Sequence, residues 1–236
     1  MKPLFLISLY QSPIIKQLEL EEALLRADDR NFMIVNYGAS SSIVMGLSGE
    51  AASLLDMERI RRDSMPVIRR FSGGGTVVID ENTLFISMIF SKDSGPRSTF
   101  PEPIMQWCHR LFQNAWKLPG FALIDNDYAI NHRKCGGNAL YIRKDRWLHH
   151  TSFLWDYCNQ NMDYLLIPPK QPAYRKERPH TEFLCRLKDY APSMPQLIEQ
   201  ICQEMGQRFS IHEISSEELS AIQAREYRRT NQLVGL

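Results

Sequence analysis

No CxxC pair occurs in these 236 residues, and the cysteines, at positions 108, 135, 158, 185 and 202, are odd in number. That excludes a disulfide framework and a zinc finger as the organising device; reduced thiols in a cytoplasmic setting are the expectation. A surplus of one charge is also missing. Lys plus Arg is 28 and Asp plus Glu is 27, a net charge of +1, which argues against a general nucleic-acid binder and against an acidic tail. No apolar run approaches membrane-spanning length. The short apolar stretch Pro3 to Tyr10 follows a single lysine and lacks a small-residue cleavage site, so it reads as a strand rather than a signal peptide. Repeats, low-complexity segments and a recognisable linker are absent too. Residues 1–236 are therefore expected to form a single domain, long enough for a sizeable core.

What is present alternates between strand-like and helix-like patterns. Leu4 to Tyr10, Phe32 to Tyr37, Ser42 to Met45, Pro66 to Arg70, Thr76 to Ile79 and Leu84 to Phe90 read as strands. So do Phe121 to Ile124, Tyr128 to Ile130, Ala139 to Arg143 and Trp147 to Leu154. Helices are expected over Gln17 to Arg26, over Glu50 to Arg62 and over Pro195 to Phe209. The clearest is the one opened by Pro103, with Ile104, Trp107, Cys108, Leu111, Phe112, Ala115 and Trp116 on one face. Ser215 to Glu218 offers a capping box for a last helix. Ile167 to Arg178, rich in Pro, Lys and Arg, reads as a surface loop. Strands and helices interleave without strict βαβ alternation, so the fold class is α+β.

The chemistry concentrates in three blocks. The first is Arg69 to Asp80, RRFSGGGTVVID. Consecutive glycines pack no core; they let backbone come close to a ligand, and exposed N–H groups cradle carboxylates or phosphates. The adjacent arginines are permanent, planar donors for such an anion. The run fits neither GxxxxGK[ST] nor GxGxxG and precedes a strand, so ordinary phosphate-loop chemistry is disfavoured. The bland alternative is a hairpin turn that happens to use glycines. The second block is Asn126 to Ala139, NDYAINHRKCGGNA, in which Lys134 beside a glycine pair is a cation near backbone donors; its bland reading is a solvated basic turn at His132-Arg133-Lys134. The third is Trp147 to Thr151, where one of His149 and His150 points in and the other out. Without nearby carboxylates, metal binding by that pair is disfavoured.

Together the blocks resemble the lipoate-protein ligase A family, of the biotin/lipoate A/B protein ligase catalytic domains. The first is similar to RRxSGGGxVxxD. The second is similar to an Asn-Asp pair ahead of Lys-x-x-Gly-Asn/Ser-Ala, and the third to a histidine pair before a small residue and an apolar strand. Order and spacing agree from roughly Phe32 to Leu154. The resemblance implies a mixed β-sheet with flanking helices. It also implies two-step chemistry: ATP and Mg²⁺ activate lipoate or octanoate to an acyl-adenylate such as lipoyl-AMP, and the acceptor lysine of a lipoyl domain or glycine-cleavage H protein takes the acyl group. Lys134 is then the catalytic residue. Substrate and nucleotide contacts fall on Arg69, Arg70, Ser72, Gly73, Gly74, Gly75, Thr76, Val77, Asn126, Asp127, Gly137, Asn138, Ala139, His149 and Thr151, with Asp127 as the candidate Mg²⁺ ligand. No nucleic acid, no membrane and a monomer are expected, without a C-terminal accessory domain.

Three departures keep alternatives open, the first being the expected lack of the C-terminal accessory domain that many bacterial ligases of the family carry. Val44 to Glu50 (VMGLSGE) has Leu47 where the family pattern carries a charged residue, and Cys135 directly follows Lys134. A cysteine-dependent octanoyl- or lipoyl-transferase would use Cys135, Cys158 or Cys185 as the thiolate. A ligase restricted to preformed lipoyl-AMP, a non-catalytic acyl-protein binding subunit and a biotin ligase are the other readings. Lys170, Arg175, Lys176 and Arg178 could steer an acidic acceptor domain.

Overall fold

In the computed structural model, residues 1–98 and 100–235 are described. In chain order the strands are β1 (Lys2–Tyr10), β2 (Phe32–Tyr37), β3 (Ser42–Met45), β4 (Val67–Arg69), β5 (Val77–Ile79), β6 (Thr83–Ser91), β7 (Phe121–Ile124), β8 (Asp127–Ile130), β9 (Arg133–Ile142), β10 (Arg146–Leu154), β11 (Phe209–Glu213) and β12 (Gln232–Leu233). The helices are α1 (Ile14–Ala27), α2 (Ala51–Leu54), α3 (Met57–Asp63), α4 (Pro101–Trp116), α5 (His180–Phe183), α6 (Met194–Gly206) and α7 (Ser216–Gln223).

Eight strands form a mixed sheet in the order β11-β1-β2-β6-β10-β9-β8-β7, and four form a small sheet in the order β12-β4-β3-β5. Strand β1 runs parallel to both its neighbours; β2-β6-β10-β9 pair antiparallel. The two-residue period of β2 divides the core. Met33 and Val35 join Ile104, Cys108, Leu111 and Phe112 of α4 and Leu197, Ile201 and Met205 of α6 on one face. Phe32 and Ile34 face the opposite way, with Leu20, Leu24 and Leu25 of α1 and Leu148 of β10. Farther along that second face the small sheet packs, through Val44, Ile68 and Ile79 against Ile14, Leu18 and Phe85. The α+β class and the mixed sheet with flanking helices agree with expectation.

Several local expectations are corrected. The expected helix over 50–62 is two, because Leu55 leaves the helix to bridge Leu165 and Asp56 then caps the next turn by accepting from Arg59 N at 2.9 Å. Strands β4 and β5 do not pair with each other. β3 lies between them, parallel to β4 and antiparallel to β5, so the glycine run is a crossover rather than a hairpin turn. Strand β9 opens at Arg133, six residues before the expected start at Ala139. Phe209, placed at a helix end, opens β11, and β12 has too few residues to carry a pattern. Ser215 does cap α7, its hydroxyl accepting from Glu218 N. Among the described residues no helix is long and apolar enough to cross a membrane.

Candidate active site

A cavity of about 1120 Å³ opens between the small sheet and the β10-β9 part of the large one, and residues 165–184 lie over it. Ligand pockets commonly run to roughly 1000 Å³, so there is room for a ligand of two parts. Ile14, Val44, Val77, Ile79 and Phe85 make one wall apolar. Asp125, Asp127, Lys134, Lys170, Arg175 and His180 make another charged or polar.

The glycine crossover forms the lip. Arg70 is only 3% exposed. Its Nη2 donates to Gly73 O at 3.0 Å and Gly75 O at 2.8 Å, and Nη1 donates to Val44 O at 3.4 Å. Burial pushes this guanidinium down to about 10, with the Glu21 charge opposing. Arg69 Nη1 donates to Leu47 O at 3.1 Å and Gly49 O at 2.6 Å. Both arginines, expected to face an anion, are thus spent on backbone carbonyls. They hold the Gly46–Gly49 and Gly73–Gly75 loops in shape. Gly74 has φ +112°, and a Cβ there would meet Arg70 Nη2 at 2.6 Å and Asn138 O at 2.7 Å. A Cβ on Gly75 would meet nothing within 4 Å. The chain's end anchors the start of this loop: Asn231 Oδ1 accepts from Phe71 N at 3.0 Å, and Gln232 and Leu233 pair with Arg69 and Ile68.

Lys134 lies on β9, after a tight β8-β9 turn in which Asn131 and His132 both have positive φ. Its Nζ is 2.8 Å from Asp127 Oδ1, and Tyr174 donates to Asp127 Oδ2 at 3.1 Å. Burial first, and the Asp127 charge second, hold the Tyr174 hydroxyl far above its ordinary value. The position of a Cβ on Gly137 is 3.4 Å from Lys134 Nζ and 3.6 Å from Ser152 Oγ. Asn138 Nδ2 donates to Asn126 O at 3.0 Å, and Thr151 Oγ1 donates to Asn138 Oδ1 at 2.7 Å. Of the basic segment, His132 does sit in an exposed turn, while Arg133 and Lys134 are half-buried strand residues. Asp127 does not fit as a resident Mg²⁺ ligand, because its carboxylate already binds Lys134 and Tyr174. Among the described residues no group of three His, Cys, Asp or Glu side chains could hold a metal.

The histidine pair divides the opposite way from the expectation. His150 lines the cavity and His149 does not. His149 is fully buried against Tyr128 with neither nitrogen bonded, and burial pushes it down to about 3, His150 adding to the shift. His150 Nδ1 is 2.8 Å from Glu21 Oε1, which also accepts from Ser87 Oγ at 2.5 Å and Gln17 Nε2 at 2.8 Å. Burial pushes the Glu21 carboxyl up, but the His150 charge and these three donors outweigh it, and the net shift is downward. Asn36 extends the network by donating to Gln17 Oε1 at 2.9 Å. Sequence reading placed Glu21 among helical spacings and gave none of Gln17, Glu21, Asn36 or Ser87 a role at the site. The available signal was polar residues at core-facing positions of a helix and two strands.

The cavity therefore gathers Arg70, Gly74, Gly75, Thr76, Val77, Asn126, Asp127, Lys134, Gly137, Asn138 and Ala139 of the expected residues. Arg69, Ser72, Gly73, His149 and Thr151 are not part of its lining. The basic segment expected as surface loop is largely irregular, with Lys170 and Lys176 exposed, and it also forms a strap over the cavity. Arg175 is buried, and Arg178 Nη2 donates to His132 O and to Tyr174 O, both at 2.9 Å. Ala173 N donates to Asp125 Oδ2 at 3.1 Å, so the strap is tied to the β7-β8 turn. No cysteine lines the cavity. Cys135 is buried and burial pushes its thiol well up; the free thiol of Cys185 is held down, chiefly by hydrogen bonding with the Cys135 thiol; Cys158 is exposed.

The fold and this site carry the class, and the comparisons carry the family. The model of the lipoyl protein ligase A/B catalytic domain matches residues 13–209, and the chain belongs to that family. A Plasmodium falciparum relative named inactive lipoate-protein ligase 2 is 27% identical over 244 residues, covering 78% of this chain and 63% of that protein. The chain spans about half the length of the curated relatives it matches. A crystal structure of lipoate-protein ligase A bound with ATP superposes with TM-score 0.74 at 16% identity, over 94% of this chain and 92% of the other. A bipartite lipoate protein ligase from Thermoplasma acidophilum, described with its E2 lipoyl domain, gives 0.76 at 18%, over 94% and 91%. These likenesses establish the fold.

Proposed function

We propose that this chain is a lipoate-protein ligase that activates lipoate or octanoate with ATP and passes the acyl group to the acceptor lysine of a lipoyl domain or H protein. The observation that carries the reading is Lys134. It is fixed by Asp127 at the polar wall of a cavity whose other wall is apolar and whose lip is glycine backbone. An acyl tail suits the Val44, Val77, Ile79 and Phe85 wall, with its carboxylate toward Lys134. In the first step a carboxylate oxygen attacks the α-phosphorus and pyrophosphate leaves. The Lys134 ammonium offsets the negative charge that builds between carboxylate and phosphate. In the second step the acceptor amine attacks the acyl carbonyl, loses a proton and displaces AMP. The solved relatives with ATP bound and with a lipoyl domain support the choice of nucleotide and acceptor.

A cysteine transferase is disfavoured, because Cys135 and Cys185 are buried and no cysteine reaches the cavity. The inactive relative makes a non-catalytic binder the competing reading. Incubating the purified chain with octanoate or lipoate, MgATP and an apo lipoyl domain, and following intact masses of both proteins, decides. Acylated acceptor that requires ATP supports the ligase. Transfer from preformed lipoyl-AMP alone makes the chain the second half of a divided ligase. No acylation from either donor leaves the binder.

A further inference from the structure

Arg175 is 4% exposed, yet its Nη2 has no hydrogen-bond partner, and the residue lines the cavity. An unsatisfied, buried, charged donor is costly, and a structure retains one where a ligand completes it. Three contacts hold the residue in place, two of them on its guanidinium. Arg175 Nε donates to Arg178 O at 3.0 Å, Arg178 Nε donates back to Arg175 O at 2.9 Å, and the guanidinium lies 4.9 Å over the Phe183 ring. The reciprocal pair locks a one-turn helix, Ala173–Arg175, that Tyr174 and Ala173 moor to Asp127 and Asp125.

Lys134 and His180 line the same cavity. His180 is pushed down to about 4, by burial first and then by the Arg175 and Lys134 charges, so it is neutral at pH 7 and adds no charge. Lys134 has Asp127 as its counter-charge; Arg175 has no carboxylate within ion-pair distance among the described residues. The deficit is one anion, and a planar fork with a spare N–H suits phosphate oxygens.

We propose that Arg175, carried by the strap, binds the phosphate groups of the nucleotide and of departing pyrophosphate, as the second cation of a subsite whose first is Lys134. This rests on the ligase reading, and assigns the strap a binding role instead of a purely covering one. Asp127 then couples the two cations mechanically, since one of its oxygens meets Lys134 and the other accepts from Tyr174, the residue next to Arg175.

Inorganic pyrophosphate and octanoate, titrated separately into the full chain by calorimetry, test it. Arg175→Gln should weaken pyrophosphate about 10- to 100-fold, the range of a charge-assisted hydrogen bond, and leave octanoate affinity unchanged. Arg175→Lys, which keeps charge and most of the volume, should recover part of the loss and guards against misfolding of the first variant. Pyrophosphate binding that is equal in all three proteins overturns the Arg175 assignment alone. Octanoate binding without any pyrophosphate or ATP binding by the unsubstituted chain overturns the nucleotide half of the ligase reading and the subsite with it.

Discussion

Two neighbouring glycines of the lip should answer the same substitution in opposite ways. At Gly74 an alanine meets φ +112°, a backbone region that costs an L-residue about 1–2 kcal/mol. Its Cβ also arrives 2.6 Å from Arg70 Nη2 and 2.7 Å from Asn138 O. The Arg70 contact cannot relax cheaply, because the same nitrogen holds Gly73 O and Gly75 O. Asn138 O is backbone of β9 and cannot move without the strand. Overpacking of this kind costs about 1–3 kcal/mol, so Gly74→Ala should lose about 2–5 kcal/mol in total. At roughly 2–4 °C per kcal/mol for a chain of this length, the melting temperature falls by about 4–20 °C. Gly75→Ala meets nothing within 4 Å and has no positive φ. It should leave stability within about 1 kcal/mol, or raise it slightly by restricting the unfolded chain. Yet Gly75 lines the cavity, so its new methyl should weaken octanoate binding. Differential scanning calorimetry and octanoate titration on both variants read the two quantities separately. Equal melting temperatures for the two variants, or a Gly75→Ala protein that binds octanoate normally, would refute the assignment of shape to Gly74 and ligand clearance to Gly75.

Lys134→Ala should cut acyl-adenylate formation about 10²- to 10³-fold, the usual scale for removing one charge-stabilising donor. The fold should persist, because the strand contact through Lys134 O and Cys185 N is backbone; ATP–pyrophosphate exchange and far-UV circular dichroism check the two parts. His149 lies low, at about 3, so the unfolded chain takes up a proton below about 6.5 that the native protein refuses. Its stability contribution is thus complete above that pH and falls by up to about 1.4 kcal/mol per unit as pH drops toward 3. His149→Phe should flatten the urea-denaturation midpoint between pH 6 and 4, and an unchanged slope would remove His149 from the acid response. Among the thiols, Cys158 should react first with iodoacetamide, being exposed while Cys135 and Cys185 are buried. Peptide mass spectrometry reads the order, and Cys158→Ser should keep full acyl transfer.

The sequence by itself determined the strands β2 and β3, the α4 stripe and the α7 cap, because each is local: a two- or 3.6-residue period, or one hydroxyl three residues from its donor. It also delivered the glycine run and Lys134, since no common structural use explains those residues at that spacing. Other features needed the tertiary structure. β3 separates β4 from β5, and only that insertion turns the glycines from a hairpin into a lip. Arg69 and Arg70 look like anion ligands until the carbonyls of Val44, Leu47, Gly49, Gly73 and Gly75 are seen to occupy them. Which histidine faces the cavity is a question of strand parity, and parity is invisible until register with β9 and β6 is set. Glu21 reads only as one position of a helix; Ser87 and His150, 66 and 129 residues away, make it a buried acceptor. The strap looks like exposed basic loop because its partners, Asp125, Asp127, His132 and Phe183, are brought to it by the β7-β8-β9 edge and the turn of α5. Local periodicity reports what a segment buries, while partners distant in sequence decide what it holds, and this site is built almost wholly from the second kind of contact.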